Sequence, residues 1–301
     1  MSRQRVAFPT PNEVAERLQA VCGCAPTSAQ PGFLSGYAIS LAAPRWLLAA
    51  SKVPPKVARR AAAALRELEL VQMLLLLYLQ EVDDAVDGQS QGRGGIAGRR
   101  FLSSARQRLR ASVGVAPFVW DEFARLEREQ NETSAWEVAR RGRTSTGSRR
   151  TDLDRIAGRA ALLRWPAAAT AHLVGKPALR ARLDRLVRSL LLVALLLDDL
   201  SDVLEDAERG CCNAVLLSGR AGRPGTLQFY ASVRRGTVFV ARWLDREIDA
   251  ILRASRGAAG ASRACSLLRL LAAYSVGSVL HWAAAATVAC ALRGALDGPE
   301  P

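Results

Sequence analysis

Residues 70–77 read LVQMLLLL and run without interruption into YLQEVDDAVDGQ (78–89); residues 190–197 read LLLVALLL and run into DDLSDVLED (198–206). Apolar runs of that density must be buried, so the carboxylates that follow them stand at the rim of a core. Neither run alternates with period two, and no other stretch of the 301 residues does so convincingly, which leaves a sheet unexpected. The text instead predicts helices over 12–22, 40–51, 56–83, 99–112, 117–140, 151–174 with a kink at Pro166, 178–206 opened by Pro177, 228–255 and 261–293. GQSQGRGGIAG (88–98) and RGCCNAVLLSGRAGRPG (209–225) read as loop and break. The expected architecture is all-α: one domain over residues 1–301, with 1–35 and 294–301 peripheral.

The acids pose a physical conflict. Carboxylates are unfavourable near the negative end of a helix and repel one another. Residues four apart share a helix face, so Asp83 and Asp87 point one way, and Asp198, Asp202 and Asp206 form a second stripe, with Asp84 and Asp199 beside them. Left alone, such groups raise one another's pKa and weaken the helix end. A shared cation removes the conflict. Aspartate oxygens suit Mg²⁺, which usually takes one or two carboxylates together with substrate phosphates. Two facing stripes therefore predict a cluster of Mg²⁺ ions and a diphosphate ligand. A solvated acidic helix end, or pairing with nearby arginines, is the competing explanation. Two such motifs 115 residues apart, each after a buried-type run, favour the metal.

Composition narrows the alternatives. There are 42 basic and 28 acidic residues, a net charge of +14, but 39 of the 42 are arginines scattered along an alanine-rich chain. The densest cluster, ARRGRTSTGSRR (139–150), reads as a solvated loop, and no zinc-finger or RNP signature accompanies it, so nucleic acid is not an expected partner. Six cysteines occur as C-x-C, C-C and singles, with only His172 and His281 beside them, which disfavours zinc. MSRQRVAFPTPNEVAERL at the start lacks an apolar signal core, so a cytoplasmic location is the default expectation. AAYSVGSVLHWAAAATVACAL (272–292) is uncharged and long enough to cross a bilayer. Alanine, serine, glycine and a histidine dilute it, and it is expected to be a buried helix of the core rather than an integral membrane span.

These residues resemble the class I isoprenoid synthases, and within them the trans-polyprenyl diphosphate synthase family, which carries two DDxxD motifs on facing helices. DDAVD (83–87) matches the first and DDLSD (198–202) the second. IAGRAALL (156–163) is similar to the family's I-x-G-K-T-A-x-L, with Arg159 in place of the lysine. GRG (92–94) falls where the family has RRG, so Arg93 matches; LAAPRW (41–46) falls where it has G-K-R-x-R-P, so Arg45 matches and Ala42 replaces a lysine. EDAERGCCNAVLL (205–217) lies where the family often has G-K-S-T-Y-P, with Cys211 in the lysine's place. The resemblance covers roughly residues 40 to 220. It implies the isoprenoid (terpenoid) synthase fold, long helices around a deep apolar cavity. It also implies Mg²⁺ on Asp83, Asp87, Asp198 and Asp202 with Asp84, Asp199 and Asp206 supporting, and an allylic prenyl diphosphate held by Arg159 and Arg93. Arg45 would hold isopentenyl diphosphate where a second substrate is used. A homodimer is the family's common assembly.

Two reaction classes follow from the resemblance. In a short-chain trans-prenyltransferase, Tyr78, about one and a half turns before Asp83, and Leu79 would narrow the cavity and stop the growing chain early. In a terpene synthase the allylic cation is cyclised or quenched without an acceptor. The absent basic residues at Ala42, Gly92 and Cys211 favour that reading, and the scarcity of aromatics weighs against it. Trp46, Trp165, Phe239, Trp243 and Trp282 are the aromatic candidates for contact with a cation. A non-catalytic partner subunit is a third reading, opposed by the survival of every aspartate in both motifs.

Overall fold

Four prolines open helical elements, where a fixed φ helps and the missing N–H costs nothing: Pro55, Pro117, Pro166 and Pro177. The computed structural model describes residues 43–86, 94–141, 149–221, 223–256, 258 and 260–296, and among these there is no strand. Helix α1 covers residues 43–50. Then come α2 (Pro55–Val86), α3 (Gly94–Val113), α4 (Pro117–Arg140) and α5 (Arg149–Ile156). A 3₁₀ segment, Ala157–Arg164, leads into α6 (Pro166–Leu173), and a 3₁₀ turn, Pro177–Leu179, into α7 (Arg180–Ser201). The chain ends with α8 (Val203–Arg209), α9 (Ala214–Gly219), α10 (Leu227–Ala254) and α11 (Ala261–Leu296). The expected helix over 12–22 lies outside the described residues.

α7 and the 3₁₀ segment form the centre. The hairpin of α2 and α3 with α4 packs on one side of them, and α10 with α11 on the other. Their buried apolar side chains make one contiguous core, running from Trp46 in α1 through Leu75, Leu162 and Leu196 to Ala283 in α11. The apolar runs before both aspartate motifs are inside it: Val71, Met73, Leu74 and Leu75 in α2, and Leu190–Val193, Leu196 and Leu197 in α7 are all buried.

Two loop readings hold only in part: α3 starts at Gly94, inside the expected loop 88–98, and α9 lies inside the expected break 209–225. Three further expectations need correction. The helix expected over 151–174 is broken before Pro166. Ala160 takes φ −111°, ψ 23°, and the backbone around it is 3₁₀ and buried. Gly158 lies so close to the Thr133 hydroxyl of α4 that a Cβ there would clash with it, so the segment is shaped by the crossing with α4. The helix expected over 178–206 ends at Ser201, with Asp202 at the junction and α8 following. The break is shallow: the amide of Asp202 still donates to the Asp198 carbonyl (3.0 Å), and that of Asp206 to the Asp202 carbonyl (2.9 Å). The third concerns residues 272–292, expected to be a buried helix. They belong to α11, which packs along α10 on one side and leaves most of its apolar surface exposed, including Leu270 at 68% and Tyr274 at 76%. It is the one helix among the described residues long and apolar enough to cross a membrane.

Candidate functional site

The last turns of α2 and α7 lie within electrostatic reach of each other. Asp83 in α2 is exposed, yet its charge is felt by both Asp198 of α7 and Arg159 of the 3₁₀ segment. The two aspartate motifs, 115 residues apart in sequence, therefore share one electrostatic neighbourhood.

Beneath them lies a buried ion network. The Arg159 guanidinium donates to the Glu137 carboxylate at the end of α4, to Asp199 Oδ1 (2.8 Å), and to the Cys212 carbonyl. The other Asp199 oxygen accepts from the Ala214 amide (2.7 Å) at the start of α9. Asn213 caps α9, its Oδ1 accepting from the Val215 amide (2.9 Å), while its Nδ2 donates to the Asp199 carbonyl and to Asp206 Oδ2, both 2.7 Å. Gly210 makes this possible. Its left-handed conformation (φ 70°) closes α8 and turns residues 211–213 back toward the end of α7.

The aspartates thus divide by role. Asp199 and Asp206 point into hydrogen bonds within the protein. Asp198 keeps contact with solvent, and Asp202 is half-buried at the helix junction. Around Asp198 the protein is crowded enough that its carboxylate is poorly hydrated. That desolvation, then the charges of Asp199, Asp202 and Asp83, push its pKa up to about 7 against the pull of Arg159. Asp206 is pushed up to about 8, first by burial and then by Asp199, against its Asn213 hydrogen bond and Arg159. Asp202 is raised by burial and by Glu205 and Asp199. Burial pulls Arg159 down, but Asp199, Glu137 and Asp83 hold it well above its ordinary value, so it stays charged.

Five carboxylates (Asp83, Asp198, Asp199, Asp206 and Glu137) are thereby coupled through one guanidinium, and Asp202 joins them through Asp198 and Asp199. The donor set fits a divalent cation, because Asp198 and Asp206 are hard to ionise without one. Among the described residues no three His, Cys, Asp or Glu side chains converge as a ready-made cage. Mg²⁺ does not require one, since water and phosphate oxygens complete its shell.

A pH dependence follows. Asp198, Asp202 and Asp206 have raised folded-state pKa values. The stability that Asp198 and Asp206 contribute is fully present below the ordinary carboxylate value and is lost as pH rises through about 7 to 8, and Asp202 adds to it in the same direction. The metal-free protein is expected to melt at a lower temperature at pH about 8.5 than at pH about 6, and Asp198→Asn to flatten that slope. Thermal melts across this window in a chelator check it; a flat wild-type profile would mean the acids are not coupled.

The other expected residues are scattered. Arg45 in α1 makes a two-pronged ion pair with the buried Glu69 of α2. Glu69 lies fourteen residues before Asp83, about 21 Å down the helix, so the structure does not bring Arg45 to the aspartates. Tyr78 turns toward α3 and α4: its ring packs beside Gly98, and burial and Glu127 raise its pKa while Arg106 opposes them. A role in limiting chain length requires a prenyl chain to pass on that side. Leu79 is half-buried against the core. Asp87, Arg93 and the side chain of Asp84 lie outside the described residues. Of the aromatic candidates, Trp46 and Trp165 are fully buried, Phe239 and Trp243 pack on each other, and Trp282 packs edge-on to Tyr230.

Two site residues were not anticipated. Glu137 continues the buried face of α4 through Phe123, Leu126, Gln130 and Thr133, a three-to-four spacing that turns polar toward its end. A polar residue in an apolar stripe was the available signal. Asn213 had the simpler signal of an N-cap residue before AVLL. Set against family models, curated proteins and solved structures, the chain matches none of them.

Proposed function

We propose that this chain is a Mg²⁺-dependent enzyme that ionises an allylic prenyl diphosphate between the last turns of α2 and α7. The reading is carried by the coupling of Asp83 to Asp198 across two helix ends, in a cluster of acids gathered around Arg159. Asp83, Asp198 and Asp202 would hold the cation, with Asp84 and Asp87 added from the sequence pattern. When bound, Mg²⁺ would supply charge stabilisation for the departing diphosphate. The chain's own residues do the positioning. Glu137 and Arg159 fix Asp199, and Asp199 with Asn213 fixes the end of α7, so that Asp198 and Asp202 are presented to a ligand. The apolar runs beneath both motifs offer no hydrogen-bonding side chain except Gln72, whose amide donates to the Leu163 carbonyl (3.1 Å). An apolar interior of that kind would suit a prenyl chain and keep water from an allylic cation.

The first form of the proposal is a short-chain trans-prenyltransferase that adds isopentenyl diphosphate to the cation. The location of Arg45 favours a second form, a terpene synthase, which needs no acceptor site. Product analysis separates them. Geranyl, farnesyl and geranylgeranyl diphosphate are offered with Mg²⁺, each alone and with isopentenyl diphosphate. A longer diphosphate formed only with isopentenyl diphosphate is the expected result for prenyl transfer. A hydrocarbon or alcohol from one allylic substrate alone identifies a terpene synthase. No pyrophosphate release in any mixture from folded protein would overturn both and leave the non-catalytic subunit.

A further inference from the structure

α11 has two faces. Ala264, Cys265, Leu268, Ala272, Val279 and Ala283 are buried on the side that packs against α10 and α7. The side turned away from them carries Leu270, Tyr274, His281, Ala284, Val288 and Leu292 at helical spacing, all exposed. Leu270 and Tyr274 are the most exposed large side chains of the helix, and Val288 and Leu292 follow at 59% each. No residue from 270 to 292 is charged, so the face is unbroken over about 33 Å. A helix apolar nearly all round is normally covered all round, and the described residues cover only one side of this one.

Beside this apolar face lies a basic one. α10 also packs on α7, and its outward side carries Arg235, Arg242, Arg246 and Arg253, seven, four and seven residues apart on one stripe and all exposed. Together α10 and α11 expose seven arginines against two aspartates, Asp245 and Asp249, and Asp249 is taken by Arg269. A second copy of the chain would bring the same cations to this surface, and like charges across an interface cost affinity. A protein partner would also find few hydrogen-bonding groups. Ser278 and Thr287 spend their hydroxyl protons on carbonyls of their own helix (2.9 and 2.7 Å), where an interface normally carries about one bond per 100–200 Å². An anionic bilayer meets both conditions: its apolar boundary needs no hydrogen bonds, and its headgroups neutralise the arginines. We infer that α10 and α11 dock on an anionic phospholipid surface, with the apolar face of α11 at the boundary of headgroups and acyl chains and the α10 arginines on lipid phosphates.

α11 lies in the plane of the bilayer rather than across it. Its other side is held by α10 and α7, and it is tied to α10 by the Arg269–Asp249 ion pair near one end and the Tyr230–Trp282 ring contact (5.6 Å) further along. A span would therefore draw the exposed arginines of α10 into the hydrocarbon with it. In the plane, those arginines reach headgroups, and His281 stays within reach of water. Tyr274 then sits at the depth that suits an apolar ring with a polar tip. The docking is independent of the aspartate site and of its proposed chemistry.

The test is co-sedimentation of the full-length protein with vesicles of phosphatidylcholine alone and of phosphatidylcholine mixed with phosphatidylserine, with circular dichroism to verify helicity. The wild type is expected to bind the mixed vesicles at least about tenfold more tightly, and less tightly as salt is raised. Two double variants on exposed side chains separate the contributions. Arg242→Gln with Arg246→Gln is expected to weaken binding to the mixed vesicles about tenfold or more. Leu270→Ser with Tyr274→Ser keeps the charge and is expected to weaken it at least about tenfold by removing the apolar contact. A wild type that binds neither vesicle overturns the proposal; its mass by light scattering then assigns the face to a second copy or to another segment of the chain. Equal affinity for the two vesicles overturns the anionic assignment. Binding to mixed vesicles that survives Leu270→Ser with Tyr274→Ser also overturns the proposal, since a net charge of +14 would then be cause enough.

Discussion

Asp198→Ala is expected to lower Mg²⁺-dependent pyrophosphate release by about a hundredfold to a thousandfold, and at neutral pH to leave the melting temperature unchanged or higher. The two effects share a cause. Burial and the charges of Asp199, Asp202 and Asp83 make the Asp198 carboxylate hard to ionise, so in the absence of a cation it opposes folding. Deleting it relieves that repulsion and removes a cation ligand together. Asp83→Ala is expected to lower pyrophosphate release to a similar extent. Asp83 is exposed in the last turn of α2, where the helix dipole disfavours a negative charge. Asp199→Ala should differ from both, because it strips Arg159 and the Ala214 amide of a buried acceptor and so costs stability as well as activity. Pyrophosphate release and thermal melts of the three variants decide the matter. Wild-type turnover in Asp83→Ala or Asp198→Ala would end the metal reading.

That contrast marks how far the sequence could be read. Helix α4 matches its expected bounds at Pro117 and Arg140, because a proline start and an apolar stripe are local signals that packing did not override. The proximity of the two aspartate motifs was also legible, since each followed a run that had to enter the core. The differing orientation of Asp198 and Asp199 was not, because adjacency in sequence does not say which carboxylate meets Arg159. The 3₁₀ segment was hidden for a similar reason: RAALL has high helix propensity, and the break at Ala160 arises where Gly158 crosses Thr133. Arg45 matched a motif position, but its partner Glu69 is chosen by the packing of α1 on α2. α11 misled because an uncharged helix reads the same whether protein covers one of its faces or all of them.

Arg159→Met is expected to destabilise the protein by about 3 to 5 kcal/mol, because it leaves the carboxylates of Glu137 and Asp199 buried without their counterion. In a chain of this size that is a fall in melting temperature of roughly 5 to 8 °C. A guanidinium serving only as a clamp for diphosphate would give a different result, a raised KM with no change in the melt of the unliganded protein. The geometry separates the cases: three of the five N–H groups of Arg159 are engaged by Glu137, Asp199 and the Cys212 carbonyl. Arg159→Lys should recover only part of the loss, since one ammonium cannot reproduce the planar fork that reaches all three acceptors. Adding Glu137→Gln to Arg159→Met should recover part of it by another route, removing one orphaned charge. If Arg159→Met melts with the wild type, the network is not holding the end of α7, and the presentation of Asp198 and Asp202 must come from elsewhere. If it melts early and Glu137→Gln compensates, the arginine acts by fixing Asp199, whatever further contact its remaining N–H groups make with a ligand.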